Sequence, residues 1–185
     1  AHNKIFTRLY EPDGEPKAVL QISHGMAEHS ALYKPFCEYM AQRGFVVVIN
    51  DHLGHGRSVT SGALYGHFGE KGGLYNVVED QRNLQSIMRE KYPELPYFLM
   101  GHSMGSFYAR QYLCEYGREL NGAIIMGTGF QPKALVKVAK TLCRVLAAFH
   151  GWHYRSNLVA NLSFMGYNKG LEAVSYTHLR AHETG

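Results

Sequence analysis

The chain has 185 residues, 45% of them apolar and 18% charged, the profile of an ordinary globular domain and not of a disordered, collagenous or disulfide-stapled chain. Its formal charge of +4 is the balance of 19 Lys and Arg residues against 15 Asp and Glu, and the basic residues are scattered but for one ordered cluster, which argues against nucleic acid as a partner. No apolar run approaches the roughly 20 residues of a membrane span, no signal-like segment opens the chain at Ala1, and Cys37, Cys114 and Cys143 lack ligand or disulfide spacing, so reduced thiols in a cytoplasmic protein are expected.

In chain order, residues 3–9 and 17–23 read as short strands around the turn-rich segment 11–16, which predicts an opening β-hairpin. A helix is expected from Leu32 to Arg43, burying Leu32, Phe36, Tyr39 and Met40 and stopped by Gly44. The run Phe45-Val46-Val47-Val48-Ile49 is apolar at every position, as a strand covered on both faces of a parallel sheet should be. A long helix is expected from Gly73 to Lys91, burying Val77, Val78, Leu84, Ile87 and Met88. Residues 97–100 read as a second central strand, 104–116 as a helix and 122–126 as a third strand. The alternation predicts the α/β class, with a doubly wound sheet and right-handed crossovers.

Between the second central strand and its helix lies Gly101-His102-Ser103-Met104-Gly105, a G-x-S-x-G pattern in a strand-turn-helix setting. A sharp turn that lifts one side chain above the sheet edge crowds the backbone two residues before and after it, where only glycine fits. Ser103 is therefore the candidate nucleophile, and the start of the next helix places a positive dipole end beside it. Acyl transfer needs two backbone N–H groups aimed at the developing oxyanion. Met104 should supply one, and the loop His24-Gly25-Met26-Ala27-Glu28-His29-Ser30 the other, through Met26. A plain strand-to-helix connection with incidental histidines is the alternative for that loop. A third cluster runs from Asn50 to Ser58; His52 and His55 beside Asp51 raise a metal site, but two glycines and no third soft ligand favour a compact polar turn.

Taken in order and spacing, the His24-Gly25 loop, the Asp51-His52-Leu53-Gly54-His55-Gly56-Arg57-Ser58 segment and the elbow at Ser103 resemble the lysophospholipase and monoacylglycerol lipase family of α/β-hydrolases. The resemblance runs from about Ile5 to Leu171. It implies that Ser103 is the nucleophile, that Met26 and Met104 form the oxyanion hole, that lipid carboxylic esters are the substrates, and that no metal or organic cofactor is used. Hydrolases described as serine aminopeptidases share these motifs, so a peptidase remains an alternative.

After Gly129 the pattern changes to a helix over 133–149, with Lys133, Lys137, Lys140 and Arg144 on one stripe and Leu135, Val138, Leu142, Val145, Leu146 and Phe149 opposite. The resemblance makes it the start of a helical cap; transient membrane-surface contact and a plain amphipathic helix are the other readings. In this fold the triad order is serine, then Asp or Glu, then His. No Asp follows Ser103, and the later histidines are His150, His153, His178 and His182. Residues 174–184 resemble a translated sequencing adapter, so His178 and His182 are set aside. The expected organisation is 1–128 as the front of an α/β-hydrolase core, 129–173 as the start of a cap and 174–185 as a non-native tail. Such a chain should be inactive for want of its base; a non-catalytic lipid- or protein-binding module is the further alternative.

Overall fold

The structure is a computed structural model, and it describes residues 4–59, 65–69, 72–154 and 156–164. The adapter-like segment lies outside the described residues, as do His178 and His182. The chain divides into two compact units, 1–130 and 131–185.

The first unit is a five-stranded sheet. In chain order it holds β1 (Thr7–Tyr10), β2 (Ala18–Ser23), α1 (Lys34–Ala41), β3 (Phe45–Asn50), α2 (Leu74–Lys91), β4 (Tyr97–His102), α3 (Met104–Tyr116) and β5 (Gly122–Met126). The spatial order is β1-β3-β2-β4-β5, with β2 to β5 parallel and β1 antiparallel on the edge. The class is thus the expected α/β sheet, but the opening hairpin does not form. Both edges of β2 are taken, by β3 and β4, so β1 crosses to the free side of β3 and pairs Thr7 with Asn50.

Every residue of β2 is buried, as are 46–50 of β3, because helices cover both faces of this part of the sheet. Alternation sorts their side chains. Leu20, Ile22, Val47, Ile49 and Met100 pack with Cys37 of α1 on one face. Val19, Val46, Val48 and Tyr97 pack with Leu84 and Met88 of α2 on the other, where Leu99 also meets Val78, Ala109 and Tyr112.

Two helix faces differ from expectation. A 3-10 turn over Ser30–Tyr33 precedes α1, whose first turn carries Pro35, and this rotates the buried face to Cys37 and Ala41. Leu32, Phe36 and Tyr39 are exposed, and Met40 is half-buried. In α2, Val77, Val78, Leu84 and Met88 are buried, but Ile87 is 61% exposed while Gln81 and Gln85 lie inside. These glutamines stay buried because they are bonded. Gln81 Nε2 donates to Ser23 Oγ at 2.7 Å, Gln21 Nε2 donates to the Gln81 carbonyl at 3.0 Å, and the Tyr112 hydroxyl donates to Gln85 Oε1.

The second unit contains α4 (Lys133–His150) and α5 (Asn157–Phe164). None of the α4 side chains is buried, so its apolar stripe is open, Phe149 being 81% exposed. No helix among the described residues is long and apolar enough to cross a membrane.

Candidate active site

The carboxyl ends of β2, β3 and β4 carry the three clusters picked out by sequence. At the end of β4 the chain turns through Ser103, at φ 52° and ψ −118°, straight into α3 at Met104. A non-glycine residue at positive φ is sparsely populated and has to be held in place. Here the hold is double: Ser103 N–H donates to the Met126 carbonyl at 2.9 Å, and the Ser103 carbonyl accepts Ser106 N–H at 2.9 Å and Ser106 Oγ–H at 2.5 Å. Both motif glycines sit where a side chain has no room. A Cβ on Gly101 would lie 2.7 Å from Ala109 Cβ, and one on Gly105 would lie 2.6 Å from the His24 carbonyl oxygen and closer still to that of Ser23. Met104 heads α3, whose first turn has N–H groups without intrahelical acceptors.

The loop after β2 stands against this elbow: a Cβ on Gly25 would be 3.2 Å from Ser103 Cβ. The Gly25 amide is spent, donating to Glu28 Oε2 at 2.6 Å, which leaves the next amide, that of Met26, as the loop's candidate oxyanion donor. Met26 itself is 46% exposed, and Ala27 after it takes φ 57°.

The third cluster buttresses that loop. Asp51 accepts Ser30 N–H at 2.6 Å and Arg57 N–H at 2.8 Å, and Gly56 leaves room for its carboxylate. His52 N–H donates to His24 Nε2 at 3.0 Å, so the His24 proton sits on Nδ1 and donates to the Gly25 carbonyl at 2.8 Å. His24 is thereby committed at both nitrogens as a neutral ring. Its ring lies tilted against His52 at 4.0 Å between centroids, and His55 lies 5.4 Å away. Burial pushes His24 down to about 4 and holds His52 and His55 below the usual imidazole value, with the neighbouring histidines adding to the effect on His24 and His52. Among the described residues no group of His, Cys, Asp or Glu is arranged to hold a metal ion.

Sequence reasoning did not single out the bonds around Glu28. Tyr33 falls within the helix expected over Leu32–Arg43; in the structure it ends the 3-10 turn before α1, and its hydroxyl reaches Glu28 Oε2 at 2.7 Å and His102 Nδ1 at 2.9 Å. A separate depression lined by Arg82, Ser86, Arg89, Arg118, Glu119 and Asn121 lies at the amino ends of β4 and β5, opposite Ser103. Two of its arginines are occupied: Arg82 pairs with Glu119, and Arg89 donates to the Leu95 and Glu119 carbonyls.

A strained serine between a buried parallel strand and a helix, with a polar loop from the neighbouring strand packed on it, is the arrangement of an α/β-hydrolase elbow. The family described as serine aminopeptidase, S33, matches residues 14–183. The chain belongs to this α/β-hydrolase family. The S33 chain is 34% identical over 145 residues to a monoacylglycerol lipase of Mycolicibacterium smegmatis, covering 75% of this chain and 49% of that protein. It is 36% identical over 101 residues to the human monoglyceride lipase, covering 55% of this chain and 31% of that protein. Among solved structures it superposes on a thermostable carboxyl esterase from Bacillus coagulans in complex with glycerol, with a TM-score of 0.77 at 32% identity. That match covers 92% of this chain and 55% of the esterase. The S33 chain thus spans about half the length, or less, of these relatives.

Proposed function

We propose that this chain carries the nucleophile and oxyanion half of a serine hydrolase acting on carboxylic esters of lipids, with monoacylglycerols or lysophospholipids as the substrate class. Ser103 Oγ attacks the ester carbonyl, and the Met104 and Met26 amides receive the oxygen as it becomes negative. The observation that carries this reading is Ser103 held at φ 52° between β4 and α3 with the Gly25 loop against it. Strain of that kind persists only where the surroundings enforce it, and it clusters at reacting centres. The monoacylglycerol lipase and carboxyl esterase names among the relatives support esters over amides. The family's own description keeps a peptidase as the second reading.

Attack by a serine hydroxyl needs a base to take its proton, and the fold places an acid and then a histidine after the serine. No Asp follows Ser103, and Glu115 and Glu119 are engaged by Gln111 and Arg82, so this polypeptide is expected to show only the residual catalysis of binding and oxyanion stabilisation, on the order of 10³ to 10⁴ over water. In this reading residues 1–128 are the front of the hydrolase core, 129–173 open a cap and 174–185 are not native. The basic stripe and open apolar stripe of α4 would favour transient contact with an anionic lipid surface. The free cysteines Cys37, Cys114 and Cys143 fit a reducing, cytoplasmic setting.

The test is reaction with a fluorophosphonate, followed by hydrolysis of monoacylglycerols, p-nitrophenyl esters and aminoacyl amides. Negligible turnover and negligible labelling are expected from this chain, and phosphonylation at Ser103 is expected where a full-length enzyme supplies the base. Robust ester hydrolysis that survives Ser103→Ala would sink the reading, and preference for amides would move it to a peptidase.

A further inference from the structure

One carboxylate oxygen beside the elbow collects the polar groups around it. Glu28 Oε2 accepts the Gly25 N–H at 2.6 Å and the Tyr33 hydroxyl at 2.7 Å, and lies 3.4 Å from His102 Nδ1. Tyr33 has a single hydroxyl proton, already given to Glu28, so its oxygen accepts from His102 Nδ1 at 2.9 Å. That nitrogen therefore carries a proton. Burial, with Glu28 alongside, pushes the Tyr33 hydroxyl above its ordinary value, which keeps its proton in the relay.

The relay joins the two segments that meet at the reacting centre. His102 directly precedes Ser103, and Gly25 directly precedes Met26. Gly25 is wedged between them: a Cβ there would lie 2.7 Å from Glu28 Oε2 and 3.2 Å from Ser103 Cβ. The loop beyond it takes a sparsely populated shape at Ala27, φ 57°, so something must hold it against relaxation. Hydrogen bonds to an ionised carboxylate are roughly twice as strong as neutral ones, which suits Glu28 to that task. Convergent donors also draw off a negative charge that would otherwise oppose an oxyanion forming nearby.

We infer that Glu28 is a positioning residue, whose carboxylate, braced by Tyr33 and His102, fixes the Gly25–Met26 peptide against the elbow and so sets the aim of the Met26 amide. The inference rests on the roles proposed above for Ser103 and Met26. The test uses the full chain and two variants, Glu28→Gln and Tyr33→Phe, followed by ¹H–¹⁵N spectroscopy and amide exchange. In the unaltered chain the Gly25 amide proton is expected well downfield of ordinary glycine amides. Glu28→Gln should move it upfield and speed exchange at Gly25 and Met26 by roughly tenfold, the loss of one charge-assisted bond. Tyr33→Phe should give a smaller change in the same direction, with the strand amides of β2 to β4 in place in both variants. A Gly25 amide that neither variant moves would overturn the inference, as would changes spread evenly through the sheet. Where Ser103 reacts with a fluorophosphonate, Glu28→Gln should slow that reaction about ten- to a hundredfold. A Ser103 that stays unreactive in a full-length enzyme supplying the base would count against the nucleophile reading, while the amide shifts would still decide the role of Glu28.

Discussion

Single positions in the elbow have almost no freedom, and the reason is backbone crowding. Gly105 packs its Cα against the Ser23 and His24 carbonyls at the end of β2. These are main-chain atoms of a buried strand and cannot step aside as a flexible side chain would. Gly105→Ala is therefore expected to cost about 3 kcal/mol or more, read as a lower urea midpoint. A midpoint within error of the unaltered chain would show that α3 can shift on the sheet. This constraint was legible in the sequence, because the spacing of the two glycines around Ser103 is itself the signature of the crowding. The Glu28 relay was not, because hydrogen bonds among residues 25, 28, 33 and 102 leave no periodic trace.

Helices and strands reveal their existence in sequence more readily than their buried faces. The boundaries of α2, α3 and β5 follow the apolar pattern closely, yet Ile87 points to solvent while Gln81 and Gln85 face the core. Hydrophobicity ranks Ile87 above the glutamines; tertiary partners such as Ser23 and Tyr112 reverse the ranking by bonding to them. Ile87→Lys should accordingly change stability by no more than about 0.5 kcal/mol, whereas Leu84→Ala should cost about 2–4 kcal/mol, both read from urea midpoints. A large loss at Ile87 would mean that its exposed placement is wrong. β5 raises the opposite issue. Among the described residues no strand pairs with its far edge, and Ile124 and Met126 are 46% and 44% exposed. An apolar open edge is a template for further pairing, so the chain should self-associate as its concentration rises. Ile124→Lys should suppress this in sedimentation velocity, and equal association by both forms would remove β5 as the cause.

At the scale of the whole molecule, the buried histidines link stability to pH. His24, His52 and His55 hold the loops after β2 and β3 together as neutral rings, and burial pushes His24 down to about 4. An unfolded histidine protonates near 6.5. As pH falls below that value the unfolded chain takes up protons that the folded chain refuses. The stability is therefore fully present above about pH 6.5 and is lost as pH falls toward about 4, His24 alone contributing about 3 kcal/mol. Urea midpoints at pH 7.5 and pH 4.5 test this, and equal values would show that the rings are not held neutral by the fold.

The sequence by itself determined the α/β class, the central strands and the place of Ser103, because each depends on local features: apolar runs, helical period and glycine crowding. Only the tertiary structure decided that β1 joins β3 instead of forming a hairpin, since that choice turns on which edge of the sheet is free. It alone decided which helix faces are buried, and it alone brought Gly25, Glu28, Tyr33 and His102 to one point. Those groups lie on separate stretches of chain, and what unites them is the packing of β2 beside β4.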